Sequence, residues 1–273
     1  MKKLFFIIPI IFFLNVEELK VISYNIRYNN PNDGINVWEN RKSTITKFLV
    51  DENPDFAGLQ EVTFSQLSFL TESLKNYGFI GVGRDDGKTK GEYSPIFYNN
   101  KKHKVLSSKT FWLSSTPEKV SVGWDASMER ICTYGLIEDK RSNKRIWVFN
   151  THLDHIGNDA RVRSIELILD TIEKLNEEDN PIILTGDFNL EDHTKPIVEL
   201  QKIFNDVQDG ISKSKKSYGT FNGFEKNLTQ KKRIDYIFTK KLKIKKASHK
   251  LIKTPKMEWA SDHHPVLAIL KYQ

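Results

Sequence analysis

Ten short segments rich in apolar and β-branched residues recur along the whole chain, and their spacing constrains the fold more than any other feature. Segments of this length and composition predict β-strands. Because they are spread over 273 residues with helical patterns between them, we expect mixed β-sheets. The predicted strands lie near Lys20–Arg27, Asp55–Leu59, Phe79–Val82, Pro95–Tyr98, Ile131–Ile137, Arg145–Asn150, Pro181–Thr185, Ile234–Phe238, Ile244–Leu251 and Val266–Leu270.

Amphipathic helices are predicted between these strands. Trp38–Val50 and Asp159–Leu175 carry apolar residues at helical spacing. A Thr-x-x-Gln capping box predicts the start of a third helix, over Thr63–Leu74. Interleaved strands and helices place the chain in the α/β class. No linker rich in Pro, Gly or Ser interrupts the pattern, so residues 17–273 are predicted to form one domain.

The first sixteen residues carry a targeting pattern. Lys2 and Lys3 precede an unbroken apolar run, Leu4–Leu14, as in a secretory signal. This run is too short to span a bilayer, which takes about 20 residues. No small-residue cleavage pattern follows it, so residues 1–16 are predicted to be a signal peptide or an uncleaved signal anchor; a buried strand or helix is the alternative. We therefore expect an exported protein that is periplasmic, secreted or membrane-anchored by this segment.

Positive charge is concentrated in one part of the chain. The formal net charge is +7, but the segment from Lys213 to Lys256 alone carries +13, which leaves −6 for the remainder. Such asymmetry predicts a polyanionic partner, for example a nucleic acid. A solvated lysine-rich face is the competing interpretation. The sequence implies no obligate protein partner, and it predicts membrane contact only through the N-terminal segment.

Cysteine content limits the kinds of metal site that the chain can build. Cys132 is the single cysteine of the sequence, which excludes an intrachain disulfide and any cysteine-rich zinc or iron-sulfur site. A bound metal would therefore have oxygen and imidazole ligands. Asp, Glu, Asn and His are accordingly the residue types in which to look for a site.

Polar and acidic side chains stand where the predicted strands end, which is where α/β proteins build their sites. A single strand-end Asp or Asn is usually a turn residue, but eight residues of related chemistry are harder to explain in that way. These residues are Asn25, Glu61, His152, Asp187, Asn189, Asp235, Asp262 and His263.

The chemistry of this set suits hydrolysis of a phosphate ester, which requires neutralised phosphoryl oxygens, an activated water and a stabilised leaving oxygen. Glu61 and Asp262 could hold Mg²⁺, which prefers one or two carboxylates with water and substrate phosphate. Asp187, oriented by Asn189, could act as the general base. His263 needs a carboxylate to hold it protonated near phosphate, and Asp235 is available for that role.

The order and spacing of six motifs resemble the endonuclease/exonuclease/phosphatase, or DNase I-like, superfamily, and in particular a bacterial branch close to the carbon catabolite repressor and nocturnin deadenylase-like group. The resemblance covers nearly the whole chain after Lys20. It implies a four-layer sandwich of two mixed β-sheets flanked by helices. The motifs that carry it are SYNIR, GLQEV, NTHL, TGDFN, RIDYIF and SDHHPV.

The resemblance also implies a role for each site residue. Glu61 corresponds to the principal metal ligand, Asp262 closes the metal site, and Asn25 contacts phosphate or the metal shell. In the same comparison Asp187 is the base or a second-metal ligand oriented by Asn189, His152 stabilises phosphate or the leaving oxygen, and Asp235 pairs with His263.

Two further substrate-site residues follow from the same resemblance. The segment GEYSPIFY matches the strand on which DNase I-like enzymes carry a glutamate that orients the first histidine, which suggests Glu92 as a partner of His152. Arg27 stands where abasic-site endonucleases tend to carry Asp, and an arginine there suits phosphate binding better than a further metal.

Two rival interpretations use the same residues. The segment NTHLDH nearly matches a zinc motif of metallo-β-lactamase-like hydrolases, with His152, Asp154 and His155 in register, but Asn150 replaces the first histidine and removes a ligand. A non-catalytic binding module would tolerate loss of a key residue such as Glu61, yet all are present.

The leading functional hypothesis is a hydrolase that depends on Mg²⁺ or Mn²⁺ and cleaves phosphodiester bonds by water attack, as a nuclease or phosphodiesterase. A phosphatase or phospholipase C-like enzyme acting on a small phosphoester or lipid head group is the alternative. The motifs do not separate these substrates, because all of them present the same phosphoryl group to the site.

Overall fold

The computed structural model describes residues 18–210, 219–226 and 232–273, and these form twelve β-strands and four α-helices. The strands are β1 (Glu18–Asn25), β2 (Phe56–Gln60), β3 (Tyr77–Ile80), β4 (Ile96–Asn99), β5 (His103–Trp112), β6 (Ile131–Asp139), β7 (Arg145–His152), β8 (Ile182–Asp187), β9 (Asn205–Asp206), β10 (Asp235–Lys240), β11 (Leu242–His249) and β12 (Val266–Tyr272). The helices are α1 (Trp38–Glu52), α2 (Phe64–Ser73), α3 (Asn158–Leu175) and α4 (Lys195–Ile203).

Within these residues the strands form two mixed sheets with related arrangements. The first sheet has the order β11-β12-β1-β2-β4-β3, and the second has the order β5-β6-β7-β8-β10-β9. Each contains one parallel pair, β1 with β2 and β7 with β8, and the remaining neighbours are antiparallel. The carboxyl ends of four strands that belong to parallel pairs therefore supply Asn25, Gln60, His152 and Asp187 to the candidate site or to its immediate support.

Apolar packing in the described residues arranges the two sheets and the helices in four layers. Side chains of both sheets meet in a central cluster that includes Phe56, Val148 and Ile237. The helices α1 and α2 cover the outer face of the first sheet, and α3 and α4 cover that of the second. The four-layer α/β sandwich expected from the sequence is confirmed.

A buried polar bridge joins the two sheets just beneath the edge where the site lies. Asn150 on β7 donates from Nδ2 to the carbonyl oxygen of Leu59 at 2.7 Å and accepts at Oδ1 from Gln60 Nε2 at 2.7 Å. Gly58 permits this close approach, because a Cβ at that position would lie 2.1 Å from Thr185 Oγ1 and 2.7 Å from Asn150 Oδ1. The bridge fixes the distance between the two halves of the site.

The predicted elements are largely confirmed. The predicted capping box is present at the start of α2, where Thr63 N donates to Gln66 Oε1 at 3.0 Å. Three elements were missed. The strand β5 alternates poorly in hydrophobicity because much of it is exposed at the edge of the second sheet, and α4 is a nine-residue helix with Pro near its start. The strand β9 has only two residues, too few to show a period.

Two sequence-based predictions fall on residues that the structure does not describe. The predicted signal segment, residues 1–16, lies outside the described chain, as do parts of the basic segment, residues 211–218 and 227–231. In the described ranges, no helix combines the length and hydrophobicity needed to cross a membrane.

Candidate functional site

A cavity of about 800 Å³ opens at the edge of the sandwich where the parallel strands end. Eight of the ten residues that the sequence assigned to a site line this cavity: Arg27, Glu61, Glu92, His152, Asp187, Asn189, Asp262 and His263. Asn25 and Asp235 are buried beneath it and contact the residues that line it. The structure therefore brings together all ten residues, although they come from seven separate regions of the chain.

Asn25, the last residue of β1, links the two carboxylates at the cavity floor. Its Nδ2 donates to Glu61 Oε1 and to Asp187 Oδ2, at 3.0 Å each. Its Oδ1 accepts a hydrogen bond from the backbone N–H of Arg27 at 3.0 Å. The amide thus fixes the separation between the proposed metal-binding carboxylate and the proposed base.

Glu61 and Asp262 are the carboxylates that the sequence assigned to a metal. Glu61 has a left-handed backbone with φ of +59°, a conformation that costs a side chain about 1 kcal/mol or more and that is often found at functional sites. Burial, together with the nearby negative charge of Glu61, raises the pKa of Asp262. A buried carboxyl whose ionisation a neighbouring carboxylate disfavours provides a suitable environment for a cation.

Asp187, Asp235 and His263 form a buried triad at the ends of β8 and β10 and in the loop before β12. His263 Nδ1 lies 2.8 Å from Asp235 Oδ2, and its Nε2 lies 3.7 Å from Asp187 Oδ2. Burial alone would lower the pKa of His263, but the charges of Asp235 and Asp187 outweigh it and raise that pKa well above its ordinary value. The imidazole is therefore held as a cation.

The same surroundings that keep His263 charged favour the uncharged form of Asp187. Burial, followed by the charge of Asp235, raises the pKa of Asp187 to about 7, although the charge of His263 and hydrogen bonds from Asn25 and Asn189 oppose this shift. A carboxylate whose pKa lies near neutrality is suited to accept a proton during catalysis.

His152 at the end of β7 differs from His263 in its charge. Asn189 Nδ2 lies 3.2 Å from His152 Nε2 and also donates to the carbonyl oxygen of Leu153 at 3.1 Å. Burial, and then the positive charges of Arg130 and Arg84, lower the pKa of His152 well below its ordinary value. The imidazoles of His152 and His263 thus differ in charge, the first being neutral and the second protonated.

Glu92 does not make the contact that the resemblance suggested. Its carboxylate accepts two hydrogen bonds from Arg84, at 3.0 and 3.2 Å, and no hydrogen bond links Glu92 to His152 in the described structure. The guanidinium of Arg84 presents two parallel donors, a geometry that satisfies both carboxylate oxygens at once. Glu92 still lines the cavity, so its predicted location is correct but its predicted partner is wrong.

Arg27 lies where a phosphate-binding cation was expected. Asp33 holds its guanidinium through two hydrogen bonds of 3.0 Å, and its Nη1 lies 3.7 Å from Asp262 Oδ2. The guanidinium also stacks over the ring of Tyr28 at 4.6 Å. Held in this way, it presents a fixed positive charge beside the two proposed metal-binding carboxylates.

Two groups of residues could hold a divalent metal. The ligand atoms of Asp187, Asp235 and His263 lie within 4.8 Å of one another. Binding there would require His263 to lose a proton, which the two aspartates oppose. Glu61 and Asp262 offer carboxylate oxygens without that requirement, so the residues present fit a metal that prefers oxygen ligands.

The zinc interpretation of NTHLDH is wrong for this chain. The side-chain amide of Asn150 is engaged in the bridge between the sheets and is not available as a metal ligand. Asp154 is occupied by hydrogen bonds from the backbone of Ile156 and Gly157 and from Ser127, while His155 Nδ1 lies 2.9 Å from Arg130 Nη2. These contacts leave no set of ligands facing a common metal position.

Several residues that line the cavity were not predicted from the sequence. Arg84, Arg130 and His155 supply one wall, and the ring of Phe221 meets that of His263 edge-on, with 5.1 Å between centroids. Arg130 carried a usable signal, since it directly precedes the predicted strand Ile131–Ile137 at the edge where the site forms. The others lie in loops, whose course no periodicity reveals.

Comparison with known proteins agrees with this geometry. The sequence model of the endonuclease/exonuclease/phosphatase family matches residues 22–263. The structure is similar to that of the endonuclease/exonuclease/phosphatase from Bacteroides vulgatus, with a TM-score of 0.88 and 36% identity over 94% of this chain and 100% of that one. It is also similar to the mannosyl-6-phosphatase of Bacteroides thetaiotaomicron VPI-5482, with a TM-score of 0.87 and 34% identity over 93% of this chain and 100% of that one.

A viral relative extends the similarity. An uncharacterized protein of Acanthamoeba polyphaga mimivirus is 32% identical over 183 residues, which represent 64% of this chain and 68% of that protein. The match to the family model extends from β1 to the loop before β12 and includes every residue assigned to the site.

Proposed function

The chain belongs to the endonuclease/exonuclease/phosphatase family and is a phosphoesterase, and on that premise we propose that it is a Mg²⁺- or Mn²⁺-dependent phosphatase that hydrolyses monoesters of small polar molecules. The observation that carries the proposal is the cavity itself. It places Glu61, Asp187, Asp262 and two histidines on the floor of a space of about 800 Å³, within the range typical of small-molecule sites.

In this proposal Glu61 and Asp262 hold the metal. Their carboxylates favour an oxygen-preferring cation, and the raised pKa of the buried Asp262 carboxyl beside Glu61 supports this placement. When bound, the metal supplies positive charge that neutralises the phosphoryl oxygens. Asn25 positions Glu61 through its hydrogen bond to Oε1, and it does not need to bind the metal itself to do so.

Asp187 accepts the proton of the attacking water. Its Oδ2 is held by Asn25 and its Oδ1 by the backbone N–H of Asn189, each at 3.0 Å, so the carboxylate has a fixed orientation. Its raised pKa keeps it basic enough to take a proton near neutrality. His263, kept protonated by Asp235, supplies a positive charge to the phosphoryl group as negative charge develops on it.

A monoester is favoured over a diester by the cations in the cavity. Arg27, Arg84 and Arg130 all line it, each held in place by a carboxylate, and a monoester carries a second negative charge that further guanidinium N–H groups of this set can bond. The similarity to a mannosyl-6-phosphatase over the whole length of that protein also supports a monoester of a sugar-like molecule.

Release of inorganic phosphate tests the proposal. Purified protein should release phosphate from hexose phosphates with Mg²⁺ or Mn²⁺, and EDTA should abolish the reaction. Asp187→Asn, which preserves the shape of the side chain, serves as the matched inactive control. Turnover that persists in EDTA, or that only Zn²⁺ restores, would contradict the proposal.

Cleavage of a nucleic acid is the second candidate function, and Lys232 favours it. This lysine belongs to the basic segment and lines the cavity, so the segment reaches the site. If a nucleic acid is the substrate, binding should weaken steeply with salt, because each neutralised phosphate releases counterions. RNA and DNA therefore belong in the same screen, at two salt concentrations.

Export remains a proposal that rests on residues 1–16 alone. Cell fractionation with an antibody to the C-terminal region would find the protein outside the cytosol, and the apparent mass would distinguish a cleaved signal peptide from an uncleaved anchor. Full-length protein in the cytosol would contradict this proposal.

A further inference from the structure

His155 lies on the wall of the cavity, three residues after His152, and the proposed mechanism does not use it. The side chain is exposed, but its partner Arg130 is buried. Arg130 Nη2 lies 2.9 Å from His155 Nδ1, and Arg130 Nε donates to Asp154 Oδ2 at 3.3 Å. A buried cation thus holds an exposed histidine at the mouth of the site.

This contact determines which nitrogen of His155 carries the hydrogen. A guanidinium can only donate hydrogen bonds, so Nδ1 of the imidazole must accept. The ring hydrogen therefore lies on Nε2, the nitrogen that remains for a ligand. His155 consequently offers a hydrogen-bond donor with a defined tautomer.

The loop that carries His155 is fixed from both sides. Asp154 accepts hydrogen bonds from the backbone of Ile156 at 2.9 Å and of Gly157 at 2.7 Å, and Arg161 donates to the carbonyl oxygen of Asp154 at 3.0 Å. Burial would raise the pKa of the Asp154 carboxyl, but the N–H groups of Gly157 and Ile156, together with Ser127 and Arg130, hold it below its usual range. Because the loop is ordered before binding, little conformational entropy is lost when His155 contacts a ligand.

The neighbouring wall residues complement His155. Asn158 accepts a hydrogen bond from Arg161 at its Oδ1, which leaves its amide N–H groups as donors. Glu191, which lines the same cavity, supplies acceptor oxygens. Donors and an acceptor around one cavity match a ligand whose adjacent groups both donate and accept, as vicinal hydroxyls do.

We propose that His155 is a specificity-determining residue, and that His155, Asn158 and Glu191, which line the same cavity, bind a hydroxyl-rich leaving group such as a sugar. The inference rests on the proposed phosphatase function and adds to it the residues that recognise the leaving group. A site built to bond a hydroxyl discriminates strongly against an analogue that lacks it, because its polar groups are then left unpaired.

The test compares two substrates that share the same phosphoryl chemistry, a hexose 6-phosphate and 4-nitrophenyl phosphate. His155→Phe keeps a ring but removes both nitrogens, and it should lower the ratio of kcat/KM values, sugar over aryl, by about tenfold or more. His155→Gln keeps one acceptor and one donor and should recover part of the ratio. His193→Phe is the matched control, since His193 is exposed and does not line the cavity.

The outcomes separate this inference from the proposed function. A wild-type protein that hydrolyses neither monoester overturns the phosphatase proposal and this inference with it. If the wild type hydrolyses both but His155→Phe leaves the ratio unchanged, or lowers both kcat/KM values equally, only the leaving-group inference is overturned. Thermal melts of each variant show whether the folded protein is being compared.

Discussion

Two buried histidines lie between pairs of aspartates at opposite ends of the sandwich. At the site, His263 contacts Asp235 at 2.8 Å and Asp187 at 3.7 Å. At the other end, His103 contacts Asp55 at 3.0 Å and Asp139 at 3.9 Å. The local geometry of these two Asp-His-Asp groups is nearly the same, so geometry alone does not make one of them a candidate catalytic group.

The two groups differ in how their negative charges are balanced. Asp55 also binds Lys102 at 3.0 Å and accepts a hydrogen bond from the backbone N–H of Lys20 at 2.8 Å. Burial would raise the pKa of Asp55, but these two contacts, together with the one to His103, outweigh it and lower that pKa. Asp187, in contrast, faces further acidic groups, and its pKa is raised. A buried acid with a raised pKa beside a cavity is a candidate for chemistry, whereas one whose charge is balanced stabilises the fold.

Removal of the metal should have the largest effect on activity, and only variants at the site end of the sandwich should alter the response of the protein to the metal. We expect EDTA to lower turnover by more than about 100-fold, because the phosphoryl charge is then no longer neutralised. Mg²⁺ should also raise the melting temperature, since a ligand that binds only the folded state stabilises it. Glu61→Gln should lose this thermal response, and Asp55→Asn should keep it. A response retained in Glu61→Gln would place the metal elsewhere, for example at the triad of Asp187, Asp235 and His263.

Asp187→Asn should lower turnover by about 10² or more, the usual contribution of a positioned base. The change keeps the volume and the hydrogen-bonding reach of the side chain but prevents proton uptake. His263→Ala should act similarly, because it removes the cation held by Asp235. Turnover measured with the substrate found in the screen, together with thermal melts, would check both variants. Near wild-type turnover in a folded Asp187→Asn protein would contradict the mechanism.

Asp55→Ala should lower stability and leave turnover nearly unchanged, the reverse of Asp187→Asn. It leaves His103 and Lys102 without their buried partner, and breaking a buried pair in this way costs about 3 kcal/mol. We expect urea denaturation to show this loss, while turnover stays within about twofold of wild type. A large fall in turnover with unchanged stability would show that this end of the molecule also influences the reaction.

The most gradual expected effect is a pH dependence of stability in the metal-free protein. Because the pKa of Asp187 is about 7 in the folded state and about 3.9 in an unfolded chain, the folded protein takes up a proton first as pH falls. The free energy of unfolding should therefore rise as pH falls from 7 towards 4, by at most about 1.4 kcal/mol per pH unit.

Two comparisons check the origin of this effect. Asp187→Asn lacks the titrating group, so its stability relative to wild type should be greatest at pH 7 and should decline towards pH 5. Asp55, with a lowered pKa, acts in the opposite sense: its contribution is present above about pH 4 and is lost as pH falls further. A difference between Asp187→Asn and wild type that does not change with pH would contradict the assigned pKa.

Much of the fold could be predicted from the sequence because most elements bury one face and therefore show a hydrophobic period. The exceptions were β5, a largely exposed edge strand, the two-residue strand β9 and the short helix α4, for which that signal is weak. The residues of the site were also predictable, since each of their motifs combines a buried strand with a polar end. The partner of Glu92 was not predictable, because Arg84 reaches it from a loop.

The sequence by itself determined the chemistry available to this protein: carboxylates, amides and imidazoles at strand ends, and no cysteine among them. Only the tertiary structure decided which of these groups balance one another. His103 and His263 are the same residue beside the same kind of acid, yet one pair lies among lysines and the other among further carboxylates. Burial and neighbouring charge depend on distances between segments that are remote in the chain, and these exist only once the two sheets have packed together.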